Sequence, residues 1–139
     1  MSEPFEILEH TADIGFRAWG ATPKELFEQA ARALMSIAAD TGSIERVTEL
    51  PVVVEGEDYP DLLVNWLSEI LYLFDSERLA GESFDIREIE PTRLRATVRG
   101  ESRERGRHPW KLIIKAVTYH QIEVAERNGR WECTVYVDI

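Results

Sequence analysis

The chain has 139 residues, 44% of them apolar and four of them tryptophan, with 16 Lys+Arg against 26 Asp+Glu for a formal net charge of −10. These totals predict one packed globule rather than a disordered chain, and no apolar run approaches the roughly 20 residues a bilayer span needs. The acidic balance opposes independent binding to nucleic acid, whose affinity comes mostly from phosphate neutralisation, and the single cysteine excludes an internal disulfide or a cysteine-cluster zinc site.

With acidic Ser2-Glu3 and Glu6 near the start instead of a signal peptide, the expected location is cytoplasmic. The charge suits a basic protein partner or a cation, although solubility alone also accounts for it. Residues 5–10 read as a first strand. A turn over 11–15 and a second short strand over 16–19 follow, with Gly15 and Gly20 marking changes of direction. Thr22-Pro23 and Glu25 then form a capping box, and Leu26, Phe27, Ala30, Leu34 and Ile37 recur at helical spacing to about Ala39.

Residues 47–55 alternate imperfectly around Pro51 and read as an edge strand. A second helix opens at Asp58 or Tyr59. Its apolar residues, Leu62 to Phe74, cover nearly half its circumference, which predicts a central helix packed against sheet on more than one side. Asn65 and Glu69 lie four apart on it, either as a functional pair or as a solvated strip. Residues 84–90 and 93–100 form two strands around Glu90-Pro91-Thr92, and 101–108 a mixed-charge tip bearing Arg103, Arg105 and Arg107. That tip either grips a phosphate or acidic patch, or is a solvated loop. Residues 110–115 read as a further strand. The pattern is α+β, with two principal helices and largely antiparallel sheet, in a single domain spanning 1–139.

Asn128-Gly129 is a strong two-residue hairpin signal, because a type I′ turn needs positive φ at both positions. Counting outward sets Arg127 opposite Arg130, Val124 opposite Cys133, Ile122 opposite Val135, His120 opposite Val137, Tyr119 opposite Asp138 and Thr118 opposite Ile139. His120, Ile122 and Val124 then share a buried face with Trp131, Cys133, Val135 and Val137. The other face carries Tyr119, Gln121, Glu123, Glu132, Thr134, Tyr136 and Asp138. The last two residues, with the terminal carboxylate, come beside the segment from Lys115 to His120.

The sequence has no Gly-rich phosphate loop, nucleophile elbow, H-E-x-x-H or EF-hand loop. Cys133 reads as core, and His108 carries no signal. What remains is a set of carboxylates, the oxygen ligands that hard divalent cations take. Asp138 supplies one and the α-carboxylate of Ile139 a second. Asp13 becomes a third if strand 5–10 lies beside the terminal strand. The competing reading has Asp13 in a local Asx-turn and a frayed terminus. Lys115 either neutralises excess carboxylate or meets an anionic group of a partner. His120 is a satisfied core histidine or a ligand, and His10 is placed to orient the turn carrying Asp13. Residue chemistry alone thus reaches an acidic α+β domain with a candidate hard-cation site at its terminus.

Four segments carry a resemblance. Phe5-x-x-x-Glu9-His10-Thr11-Ala12-Asp13-Ile14-Gly15, Leu63-Val64-x-Trp66-Leu67-x-Glu69-Ile70-Leu71-Tyr72, Lys115-Ala116-Val117-Thr118-Tyr119-His120 and the closing Asp138-Ile139 resemble archease in this order over residues 5–139. The resemblance implies an accessory protein and not an enzyme: a cofactor that activates the RtcB-type tRNA-splicing ligase. It would promote metal- and GTP-dependent guanylylation of the ligase and multiple turnover in tRNA splicing and RNA repair. It implies a fold of two largely antiparallel sheets with helices between them. It also implies a divalent metal ion, calcium in the family, held by Asp13, Asp138 and the terminus of Ile139, with Lys115 and His120 near it. RNA would be met only through the ligase, no membrane is involved, and a monomer is expected. Two other classes compete, a small metal-dependent hydrolase or transferase using Asp13, Asp138 and His120, and a tRNA-binding, chaperone-like module.

Overall fold

The computed structural model describes residues 4–9, 13–103 and 111–139, without the side chains of Glu9, Asp13 and Ser43. Two capped helices carry the core. Helix α1 (Pro23–Ala38) begins at Thr22, whose Oγ1 accepts from Glu25 N at 3.2 Å, while Glu25 Oε2 accepts from Ala21 N at 2.8 Å. The N–H of Glu25 in the first turn and that of Ala21, just before the cap, are thereby satisfied. Helix α2 (Tyr59–Asp75) begins at Asp58, whose Oδ1 accepts from Asp61 N at 3.0 Å. The fully buried Trp66 of α2 donates its indole N–H to Phe27 O of α1 at 3.0 Å, so its only polar atom is partnered inside the core.

Both sheets are antiparallel. In the first, β1 (Phe5–Glu9), β2 (Asp13–Gly20), β8 (Arg130–Asp138) and β6 (Ala116–Val117) lie in that order, and β7 (Glu123–Arg127) also pairs with β8. The second runs β3 (Thr48–Glu55), β5 (Arg93–Ser102), β4 (Leu79–Glu90). Helix α1 packs on β2 and β4, and α2 on β3, β4 and β6, so each helix touches both sheets. One core runs from Phe16, Ala18, Val135 and Val137 through the helices to Ile86, Leu94 and Val98. The two-sheet α+β architecture with helices between is as the resemblance implied, and α2 is central as its apolar circumference predicts.

Strand β3 is an edge, as Pro51 requires. Gly56 N bonds Thr92 O at 3.1 Å, so the bonded pairs fall at even positions and the absent N–H of Pro51 points away from β5. Asn65 Nδ2 donates to Glu55 O at 2.7 Å, closing a carbonyl at the end of this edge. That bond gives Asn65 a structural task.

Several sequence expectations are corrected. Gly15 lies within β2, which starts at Asp13 and not at 16, because the ring of Tyr136 covers it; a Cβ there would stand 2.6 Å from Tyr136 Cδ1. The neighbour of the terminal strand is β2, and β1 lies outside it. Residues 111–115 form no strand; Lys111 N donates to Ala38 O at 2.9 Å and Leu112 N to Ile37 O at 3.4 Å, capping the C-terminal carbonyls of α1. The hairpin register holds from Arg127↔Arg130 to Glu123↔Thr134 and then breaks. Val117, not His120, faces Val137, and Ala116, not Tyr119, faces Asp138. Six steps from 117 to 123 match three from 137 to 134, so three residues are extruded as a bulge. His120 is consequently exposed rather than a core histidine, and Ile122 leaves its place opposite Val135. The tip expected at 101–108 does not include its first two residues. Glu101 and Ser102 belong to β5, Glu101 is 3% exposed and accepts from Glu45 N at 3.2 Å, and residues 104–110, with Arg105, Arg107, His108 and Trp110, lie outside the described residues.

Candidate functional site

Cross-strand pairing puts Asp13, Asp138 and Ala116 in one row across β2, β8 and β6. Ile14, Val137 and Val135 face the core, so this row belongs to the outer surface, at the end of the sheet where β8 finishes. Asp138 is exposed and Ile139 is 41% exposed. Lys115, also exposed, is tied to the same place through its backbone, with its N–H donating to Asp138 O at 2.8 Å. The next row pairs Gly15 with Tyr136, whose buried ring lies over Gly15 and meets His120 edge-on at 6.0 Å between centroids.

The bulge between β6 and β7 makes this arrangement possible. Thr118 bonds Tyr136 O twice, from N at 3.1 Å and from Oγ1 at 2.9 Å. His120 N donates to Thr118 Oγ1 at 3.3 Å, Ile122 N to Tyr119 O at 3.2 Å, and Gln121 turns the chain with φ 52°. Tyr119 is thrown outward, and its hydroxyl donates to Asp61 Oδ1 at 2.6 Å, at the start of α2. Asp61 Oδ2 also accepts from Glu57 N at 2.9 Å. The Tyr119 hydroxyl first, and then the Glu57 N–H, hold the Asp61 carboxyl below its ordinary pKa. The same bond, with some burial and the charges of Asp61, Glu57 and Asp58, raises that of Tyr119.

The register therefore pairs Asp13 with Asp138, next to Ile139; Lys115 joins them through its backbone N–H to Asp138 O, His120 stands a row away against Tyr136, and His10 lies outside the described residues. Asp13 and Asp138 occupy directly opposed positions, where like charges destabilise an antiparallel pair unless a cation lies between them. Oxygen donors of this kind fit a hard divalent ion. Among the described side chains, which do not include Asp13, no three His, Cys, Asp or Glu gather round one point. The link from Tyr119 to Asp61 was not foreseen. An acceptor at the third position of α2 is visible in the sequence, but its donor depends on the bulge.

The remaining candidates have structural explanations. Cys133 is 1% exposed and burial pushes its thiol pKa up to about 12, leaving no thiolate for nucleophilic chemistry. Farther along the outer face, a cleft of about 430 Å³ contains Arg17, Arg127 and Arg130. Each pairs with a glutamate, Arg17 with Glu6 at 3.1 Å, Arg127 with Glu123 at 3.3 Å and Arg130 with Glu132 at 3.1 Å. Such self-neutralised pairs give a phosphate little net attraction. No helix among the described residues is long and apolar enough to cross a membrane.

Two helices enclosed by two antiparallel sheets define a fold seen in solved structures. The solution structure of protein 1598 from Methanobacterium thermoautotrophicum matches 99% of this chain and 100% of its own, with TM-score 0.84 and 31% identity. A crystal structure from Thermotoga maritima, described as an archease and possible chaperone, matches 100% and 98%, with TM-score 0.67 and 25% identity. In sequence, Protein archease of Methanosarcina mazei is 41% identical over 139 residues, 97% of this chain and 95% of that one. The Methanopyrus kandleri protein of the same name is 37% identical over 98% and 99%. Residues 5–139 match the family model described as Archease protein family (MTH1598/TM1083), and the chain belongs to the archease family.

Proposed function

We propose that this protein is an accessory factor of the cytoplasm that activates an RtcB-type tRNA-splicing ligase. It promotes metal- and GTP-dependent guanylylation of the ligase and multiple turnover in tRNA splicing and RNA repair. The observation that carries this reading is the placement of Asp13 directly opposite Asp138, beside Ile139, in a chain of the archease family. Family membership, and the description of the Thermotoga relative as a possible chaperone, support an assisting role rather than independent catalysis.

Asp13, Asp138 and the α-carboxylate of Ile139 are assigned as holders of a divalent ion, calcium or another hard cation. A hard divalent ion bound there supplies positive charge toward phosphate oxygens. Lys115, whose N–H bonds Asp138 O, offsets excess carboxylate beside that row. His120 stands on the Tyr136 ring at the surface a partner would approach. RNA is met through the ligase, in keeping with the net charge of −10.

Asp138→Asn, or a short extension after Ile139, is expected to lower stimulation of ligase guanylylation by roughly 10- to 100-fold, as loss of metal-site groups commonly does. Thermal unfolding should be little changed, because Asp138 is exposed. The assay mixes ligase, GTP and divalent metal with wild type or variant. Full stimulation by both variants would contradict the assignment. Turnover of a substrate by the isolated protein would favour the hydrolase or transferase reading instead.

A further inference from the structure

Strand β6 is only Ala116–Val117, too short to hold its place by pairing alone. Yet it flanks the end of β8 that carries Asp138 and Ile139. Two anchors lie on either side of it. Upstream, Lys111 N and Leu112 N cap Ala38 O and Ile37 O, and Lys111 Nζ donates to Ser36 O at 3.2 Å, all at the C-terminus of α1. Downstream, Tyr119 Oη donates to Asp61 Oδ1 at 2.6 Å at the N-terminus of α2. Between the anchors, Lys115 N bonds Asp138 O at 2.8 Å and Thr118 bonds Tyr136 O.

We propose that residues 111–121 form a strap across the end of β8, and that Tyr119 is a positioning residue pinning this strap to α2 through Asp61. The pin holds β6 on β8 and so sets the geometry of Asp138 and Ile139. Asp61 is a suitable anchor because it is itself fixed, through its N–H to Asp58 and through Oδ2 to Glu57 N. Exposed hydrogen bonds are individually weak, but this one engages a carboxylate and has a rigid helix start behind it. Its loss frees the downstream side of a two-residue strand, leaving the upstream anchor, the bonds of Lys115 and Thr118 and the buried Ile114 and Val117 to hold it. The significance of the pin for cation binding rests on the function proposed above; the pin itself does not.

Tyr119→Phe keeps the ring and removes only the donor. Hydrogen exchange followed by NMR should show protection of the Lys115 and Thr118 amides falling about tenfold, the loss expected from one charge-assisted bond. Amides within the β7–β8 hairpin should be unchanged. Asp61→Ala, which removes the acceptor, should give the same pattern, and the double variant no more than either alone. Unchanged protection at Lys115 and Thr118 would overturn the proposal. Calcium titration of wild type and Tyr119→Phe, followed calorimetrically, tests the consequence. A weaker calcium affinity in Tyr119→Phe is expected, and equal affinities would show that the pin does not set the site. If wild type binds no calcium, the cation reading fails on its own, while the exchange measurement still decides the strap.

Discussion

Gly15 and Tyr136 show how closely the site row depends on single atoms. A Cβ at Gly15 would stand 2.6 and 2.8 Å from two ring carbons of Tyr136 and 2.8 Å from Val135 O. Gly15→Ala should therefore destabilise the protein by about 1–3 kcal/mol, the usual cost of overpacking, measured by urea unfolding. In a Tyr136→Ala background the cost of Gly15→Ala should shrink only in part, because the Val135 carbonyl remains in the way. Its complete disappearance would place the whole conflict in the ring. Tyr119 and Asp61 give a pH prediction at the same scale. The carboxyl of Asp61 is lowered from 3.8, so the stabilisation it brings is present above that value and is lost as pH falls through the lowered one. Tyr119 is raised from 10.0, so its part is present below 10.0 and is lost as pH rises through the raised value. Between these limits the bond should contribute a constant amount. An NMR titration of the Tyr119 ring with its midpoint below pH 10 would contradict it.

The helices and the last hairpin differ in how far local chemistry determines them. Asp58 caps α2 and bonds the Asp61 N–H, so Asp58→Ala should cost about 1 kcal/mol, typical of a lost N-cap, in an equilibrium denaturation measurement. A loss below a few tenths would show that Tyr119 and Glu57 hold the turn unaided. Caps of this kind are local, and both helix starts were accordingly legible at Thr22 and Asp58. The Asn128-Gly129 turn was legible too, with φ 55° and 75° at its two positions, and it set the register correctly as far as Glu123. Beyond that, counting in twos assumes an uninterrupted ladder, and the extruded residues of the bulge violate the assumption. Gln121 marks the break by adopting φ 52°, a conformation its residue type does not advertise. Gly15 misled for the opposite reason. It looked like a turn glycine, but it is required by the ring of Tyr136, far away in the chain.

At the level of the whole molecule, the row of Asp13, Asp138 and Ala116 exists because β2 and β8 are neighbours, a fact set by sheet order and invisible to any local signal. The carboxylates could be named from the sequence; the pairing that joins them could not. The charge of −10 acts at this scale as well. It speeds approach to a basic partner while contributing little to the final contacts, because long-range attraction raises association rates and is screened over about 10 Å at 0.1 M salt. Association with the proposed ligase partner should thus slow by at least about tenfold as salt rises from roughly 50 to 500 mM, with dissociation changing much less. Surface-immobilised ligase and stopped-flow mixing both separate the two rates. Neutralising Glu57 and Asp58, which lie near Tyr119 but outside the proposed cation row, should slow association in low salt and lose that effect in high salt. An association rate indifferent to salt would remove charge steering from the account. It would leave docking to the exposed apolar side chains of the strap itself, chief among them Ile113 at 82% exposure.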